Sequence, residues 1–196
     1  MREITRVAML TVVCLACSGA MGASYPLVPP DKDLDDLDHY WYYTWGIDTP
    51  WCVVPDPDNE YEQAAGASLS FNNIRNWNSK PNVLYIHLLD DAPLGITKGY
   101  DRQGGGDNFA DQGIVLTVYH NLPSTPQNLS YSFSEDQVAT LNEYAADGRF
   151  ALGLDPDCHF YNCGVGLSVS TEVVPEPAAL TMLAVGGLAV LRRRRK

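Results

Sequence analysis

Through the middle of the chain, apolar residues recur mainly at every second position. Leu69 and Phe71 alternate with Ser68, Ser70 and Asn72, the signature of a strand with one face buried. Asn82 to Leu89 is the most continuously apolar segment of the body, bounded by Pro81 and by Asp90-Asp91, and predicts a central strand. Its His87 faces away from Leu84, Ile86 and Leu88, as a surface or satisfied sheet histidine rather than a ligand. Gly113 to His120, Leu129 to Phe133, Arg149 to Leu154 and Gly164 to Ser170 predict further strands. Only one stretch has a helical period. Val138, Leu141 and Tyr144 with Ala145 share a stripe, Ser134 caps it, Gln137 returns the bond, and Gly148 stops it. The fold class that follows is mainly β: a single β-sandwich of jelly-roll or immunoglobulin-like type with one short helix.

Two segments depart from simple alternation. His39 to Trp45 places five aromatics in seven positions, a composition that suits a strand covered on both faces. Alternation puts Trp41, Tyr43 and Trp45 on one side, where they are candidates for stacking on sugar rings. The plainer reading is that these rings fill a core. Leu94 to Gln112 is rich in glycine and has no sustained period, so it reads as one long loop. Its triple glycine is not a phosphate loop, because no Lys-Ser/Thr and no helix follow.

The ends of the chain follow a different pattern. Met1 to about Gly22 has Arg2 and Arg6 in front, an apolar centre from Val7 to Ala16, and small residues from Ser18 to Ala23, which is the layout of a secretory signal peptide. Cys17 as a lipoprotein site is disfavoured by Cys14 three residues before it. At the other end, Pro175-Glu176-Pro177 precedes an uncharged apolar run from Ala178 to Leu191, then Arg192, Arg193, Arg194, Arg195 and Lys196. As a helix that run spans only about 21 Å, marginal for a permanent membrane span. The basic cluster resists translocation and holds the end in the cytoplasm.

These three parts, in this order at the chain's end, resemble the PEP-CTERM sorting domain. The resemblance covers roughly the last 24 residues. It implies recognition by a membrane-embedded exosortase, processing near Pro175-Glu176-Pro177, and delivery to the cell surface or extracellular matrix after transient anchoring in the inner membrane. The tail is then a substrate and brings no catalytic residue. The chain divides accordingly into a signal peptide at 1–22 with an N-terminal signal helix, a β-sandwich ectodomain at 23–172, and a sorting segment at 173–196 with a C-terminal hydrophobic helix. The phrase from Phe150 to Ser170 also looks like the closing hairpin of many secreted ectodomains of this kind.

Charge sharpens this picture. The chain carries a formal net charge of −11, yet residues 23–177 hold 6 of 13 basic and 23 of 24 acidic residues, near −17. Such a body repels nucleic acid and attracts divalent cations. Asp101, Asp107 and Asp111 in the long glycine-rich loop are the candidate calcium ligands. The acids at Asp56, Asp58 and Glu60 are not an EF-hand, whose glycine and closing glutamate would fall at Tyr61 and Ala67.

Removal of the signal peptide leaves Cys52, Cys158 and Cys163, and an oxidising compartment allows one bridge among them. Cys158 with Cys163, enclosing four residues, is one candidate disulfide, and Cys52 with Cys158 is the competing pair. Zinc at Cys158-His159 lacks a second ligand pair. Asn128-Leu129-Ser130 matches the glycosylation triplet. No nucleophile elbow, His-Glu-x-x-His or placed acid pair is present. The expectation is a non-enzymatic surface or matrix protein with exosortase and the export machinery as partners. The alternative is a carbohydrate-binding module for exopolysaccharide, and a secreted hydrolase is the remotest.

Overall fold

The computed structural model describes residues 22–51, 53, 61–101 and 105–174. The signal peptide, Cys52, the acidic turn at 54–60, and the sorting residues Pro175, Glu176, Pro177 and Arg192 to Arg195 lie outside the described residues, as do the two expected terminal helices. Among the described residues no helix is long and apolar enough to cross a membrane.

The body is mainly β. Its strands are β1 (Ser24–Leu27), β2 (Asp36–Leu37), β3 (Trp41–Asp48), β4 (Glu62–Asn76), β5 (Val83–Leu89), β6 (Gly95–Tyr100), β7 (Ile114–His120), β8 (Gln127–Ser132), β9 (Arg149–Pro156), β10 (Phe160–Tyr161) and β11 (Val165–Val173). One helix, α1 (Glu135–Tyr144), precedes β9 and ends in a 3-10 turn. One sheet runs β1-β11-β4-β10-β2, with β8 also paired to β4. The other runs β6-β3-β9-β5-β7, and its pairings are all antiparallel.

The two sheets share one core. Leu69, Phe71, Ile74, Leu167 and Val169 come from the first, and Tyr43, Trp45, Leu84, Ile86, Leu88, Leu152 and Leu154 from the second. Each such side chain contributes about 1.5–3 kcal/mol by leaving water, and the period-two strands deliver them to one face. The long β4 keeps its inward face only by a local break. Its register with β8 shifts between Phe71 and Ile74, and Asn73 adopts a positive φ of 51°, so that both apolar residues are buried although three positions apart.

Helix α1 closes the open side between the sheets. The capping box forms as its sequence requires: Ser134 Oγ accepts from Gln137 N at 3.3 Å, and Ser134 N donates to Gln137 Oε1 at 2.9 Å. Gln137 reaches further. Its Oε1 accepts from Tyr131 OH at 2.9 Å and its Nε2 donates to Leu116 O at 2.9 Å, which joins β8 of one sheet to β7 of the other. Asn142 takes both backbone groups of Ala64, accepting from N at 2.7 Å and donating to O at 2.9 Å, so the helix satisfies β4 as a neighbouring strand would.

The stretch from Leu94 to Gln112, expected to be one loop, begins with a strand. Residues Gly95–Tyr100 pair with β3, and the edge position explains the missing apolar period: these side chains are half-buried or exposed. The short β1, β2 and β10 carry too few residues for a period to register.

Candidate functional site

Two clusters of polar side chains occupy the outside of this framework. The first lies on the outer face of the five-stranded sheet, where the segment after β6 folds back. Phe109, only 1% exposed, packs with Leu89 and Ala151, and with Tyr42 and Ala92 around them. The floor beneath it is Gly153, where a Cβ would lie 3.0 Å from the Phe109 ring, so a side chain there would crowd the ring.

Under this cap His87 is 1% exposed, and its Nε2 pairs with Asp107 Oδ2 at 2.9 Å. It is buried rather than on the surface, and only half satisfied: its Nδ1 has no hydrogen-bond partner among the described residues. Asp107 Oδ1 also accepts from Phe109 N at 2.9 Å, which sets the turn that inserts the ring. Asp155 is fully buried beside it. Its Oδ2 accepts from Asn108 N at 2.7 Å and Asn108 Nδ2 at 3.1 Å, whereas its Oδ1 has no partner among the described residues. Burial pushes the Asp155 carboxyl up to about 6, the Asn108 bonds oppose this, and the charges of Asp101 and Asp157 add to it. Burial likewise raises Asp157, against a bond from Gly106 N at 3.0 Å.

The calcium expectation changes with this geometry. Asp101 and Asp107 approach Asp155 and Asp157, whereas Asp111 is exposed. Asp107 is engaged with His87 and with the turn. The group of carboxylate and imidazole side chains whose ligand atoms do converge, all within 4.8 Å of one another among the described residues, is Asp38, His39 and His159.

That second cluster sits where β2 meets β10. The antiparallel register pairs Phe160 with Leu37 and Tyr161 with Asp36, which brings His159 opposite Asp38. Leu37 and Phe160 are both fully buried and fasten the two short strands to the core. Tyr43 OH accepts from Asp38 N at 3.0 Å and donates to Asp36 O at 3.1 Å. Burial, ahead of the neighbouring acids, raises the Tyr43 hydroxyl, so it stays a neutral donor. His39 Nδ1 lies 3.2 Å from Asp38 Oδ1, and His159 Nε2 is hydrogen-bonded to Asp36 Oδ1. A cleft of about 260 Å³ opens alongside, with Asp36, Asp38, Trp41, Tyr43 and Lys98 among its walls.

The proposed stacking row does not form. Tyr43 and Trp45 are 2% and 3% exposed, because their face of β3 is the face that meets the other sheet, and a ring enclosed on both sides offers no platform. Trp41 is half-buried, edge-on to Tyr100 at 5.6 Å and with Lys98 Nζ 5.3 Å from its ring centre. Trp51 is 4% exposed, and Trp77, at 57%, is the exposed tryptophan of the described residues. The disulfide between Cys158 and Cys163 is also absent: both are free thiols. Cys158 packs against the core, whereas Cys163 is exposed beyond β10, so the two thiols occupy different surroundings.

The residues of this second cluster are far apart in the chain. His39 and Asp38 adjoin in one segment, and His159 stands alone more than a hundred residues later. Only the two-residue pairing of β2 with β10 joins them.

The described fold is a mainly β body whose last strand, β11, ends at Val173. The family model of the PEP-CTERM protein-sorting motif matches residues 173–196; the chain carries that motif, the signal of an exported exosortase substrate. No curated protein matches the chain. Among solved structures, latent aurone synthase (polyphenol oxidase) from natural source is 9% identical with a TM-score of 0.36, covering 71% of this chain and 26% of that one. Recombinantly expressed latent aurone synthase is 8% identical with a TM-score of 0.40, covering 72% and 26%. This chain thus spans about a quarter of their length, and scores of this size carry no argument about its chemistry.

Proposed function

We propose that this protein is a non-enzymatic component of the cell surface or extracellular matrix. An acidic β-sandwich is exported, held briefly at the inner membrane by its tail, and released or transferred when exosortase acts near Pro175-Glu176-Pro177. The observation that supports this reading is the position of the sorting motif: it begins at Val173, the residue at which β11 ends. A cut in the Pro-Glu-Pro step therefore spares every described strand.

Expression of the chain in cells with and without exosortase, followed by intact mass of the exported product, tests the reading. The expected result is a product shortened by about the apolar run and basic end only where exosortase is present. The same mass in both strains overturns it. A role in binding exopolysaccharide through Trp41, Tyr43 and Trp45 gains no support from rings packed into a core.

A further inference from the structure

We propose that Asp38, His39 and His159 form a binding site for a divalent transition-metal ion of the zinc type, with Asp36 orienting the His159 ring. The site stands on geometry alone and is independent of how the chain is sorted.

Three ligand atoms within 4.8 Å of one another need only small side-chain rotations to reach the spacing of a metal's coordination shell, where nitrogen and oxygen ligands lie about 2.0–2.2 Å from the ion. The two imidazoles are borderline donors and the carboxylate a hard one. They suit zinc, copper or nickel, whereas calcium takes oxygen ligands only. Three protein ligands also leave a coordination position open.

The backbone that carries these groups is held on every side. Asn162 N donates to Asp35 O at 2.9 Å, Trp77 N donates to His159 O at 2.9 Å, and Asn162 Nδ2 donates to Leu34 O at 2.6 Å. Together with the Tyr43 hydroxyl these bonds fix both the 34–38 and the 159–162 segments before any ion arrives. The His159 ring packs 4.7 Å from Tyr161 and 6.3 Å from Trp77, and the His39 ring lies 4.1 Å from Tyr40, so aromatic faces limit how far either imidazole swings. The bond from Asp36 to His159 is the carboxylate–histidine contact that commonly orients a metal-bound imidazole. Side-chain exposures of 37% for His39, 33% for Asp38 and 20% for His159 leave the ion a route from solvent.

The full exported protein, without a histidine tag, is stripped with chelator and titrated with zinc sulfate by calorimetry, and with cobalt chloride by visible absorption. One equivalent of zinc is expected to bind, with cobalt giving a d–d band. His39→Gln and His159→Gln are each expected to weaken zinc by at least tenfold. Asp36→Asn is expected to weaken it less, and His120→Gln not at all. A zinc-dependent rise in Tm, lost in the two histidine variants but not in His120→Gln, is the second readout. The proposal is overturned if stripped protein, folded by circular dichroism, takes up no zinc. It is equally overturned if binding survives both histidine substitutions, or is abolished by Cys158→Ser while His39→Gln leaves it intact.

Discussion

Asp155 hangs by one oxygen from Asn108: its Oδ2 takes both the backbone and the side-chain N–H of that residue, at 2.7 and 3.1 Å, and its fully buried Oδ1 takes none among the described residues. The pair pins the folded-back segment to β9, at an electrostatic cost that depends on pH. The carboxyl titrates from 3.8 in the unfolded chain to about 6 in the folded one. The folded state therefore binds the proton more tightly, and Asp155's contribution to stability falls as pH rises from about 4 to about 6. Above that range the penalty persists. In chelator, Asp155→Asn keeps an acceptor for Asn108 and removes the charge. It should raise the urea midpoint at pH 7.5 and change it little at pH 4. An equal shift at both values would contradict this account.

Phe109 supplies the one large side chain of the small core on the outer sheet face. Phe109→Ala should cost about 3–4 kcal/mol and should free the segment that covers His87. Hydrogen exchange checks the locality: amides from 105 to 112 should lose protection, while those of β4 and β11 keep it. Uniform loss across both sheets would show that the cap is part of the main folding unit.

Gly113 joins that cap to β7 with φ at +59°, and a Cβ there would lie 2.0 Å from Leu88 O. Backbone strain and a backbone clash combine, and neither is relieved by a rotamer change. Gly113→Ala should lower stability by more than about 2 kcal/mol, read as a fall in Tm. By contrast Gly105, at a φ of +140° but with nothing within 4 Å, meets backbone strain of about 1–3 kcal/mol without any clash, and should lose less on the same change.

Ser134 and Gln137 share a capping box, but their losses should differ. Ser134→Ala removes one bond at the helix start, about 1 kcal/mol. Gln137→Ala removes that return bond together with the links to Tyr131 and Leu116, and should cost about twice as much. Equal denaturation midpoints for the two variants would mean that the bridge between the sheets contributes nothing.

Local pattern alone was enough for the strands and the helix that bury apolar residues. Leu84, Ile86 and Leu88, or Leu167 and Val169, announce their face by alternation, and Ser134 with Gln137 announces a helix start. The sorting motif at 173–196 was legible in the same way, because it is a linear pattern that does not depend on the fold. The tertiary structure decided the rest. Whether Tyr43 and Trp45 are a platform or a core depends on which face of β3 meets the second sheet, and both faces have rings. Whether Leu94 starts a loop or a strand depends on the partner edge that β3 offers to β6. His39 and His159 become neighbours only through β2 and β10, strands of two residues each. Their hydrogen bonds are local in space but separated by more than a hundred residues in the chain, a contact that no period in the sequence encodes.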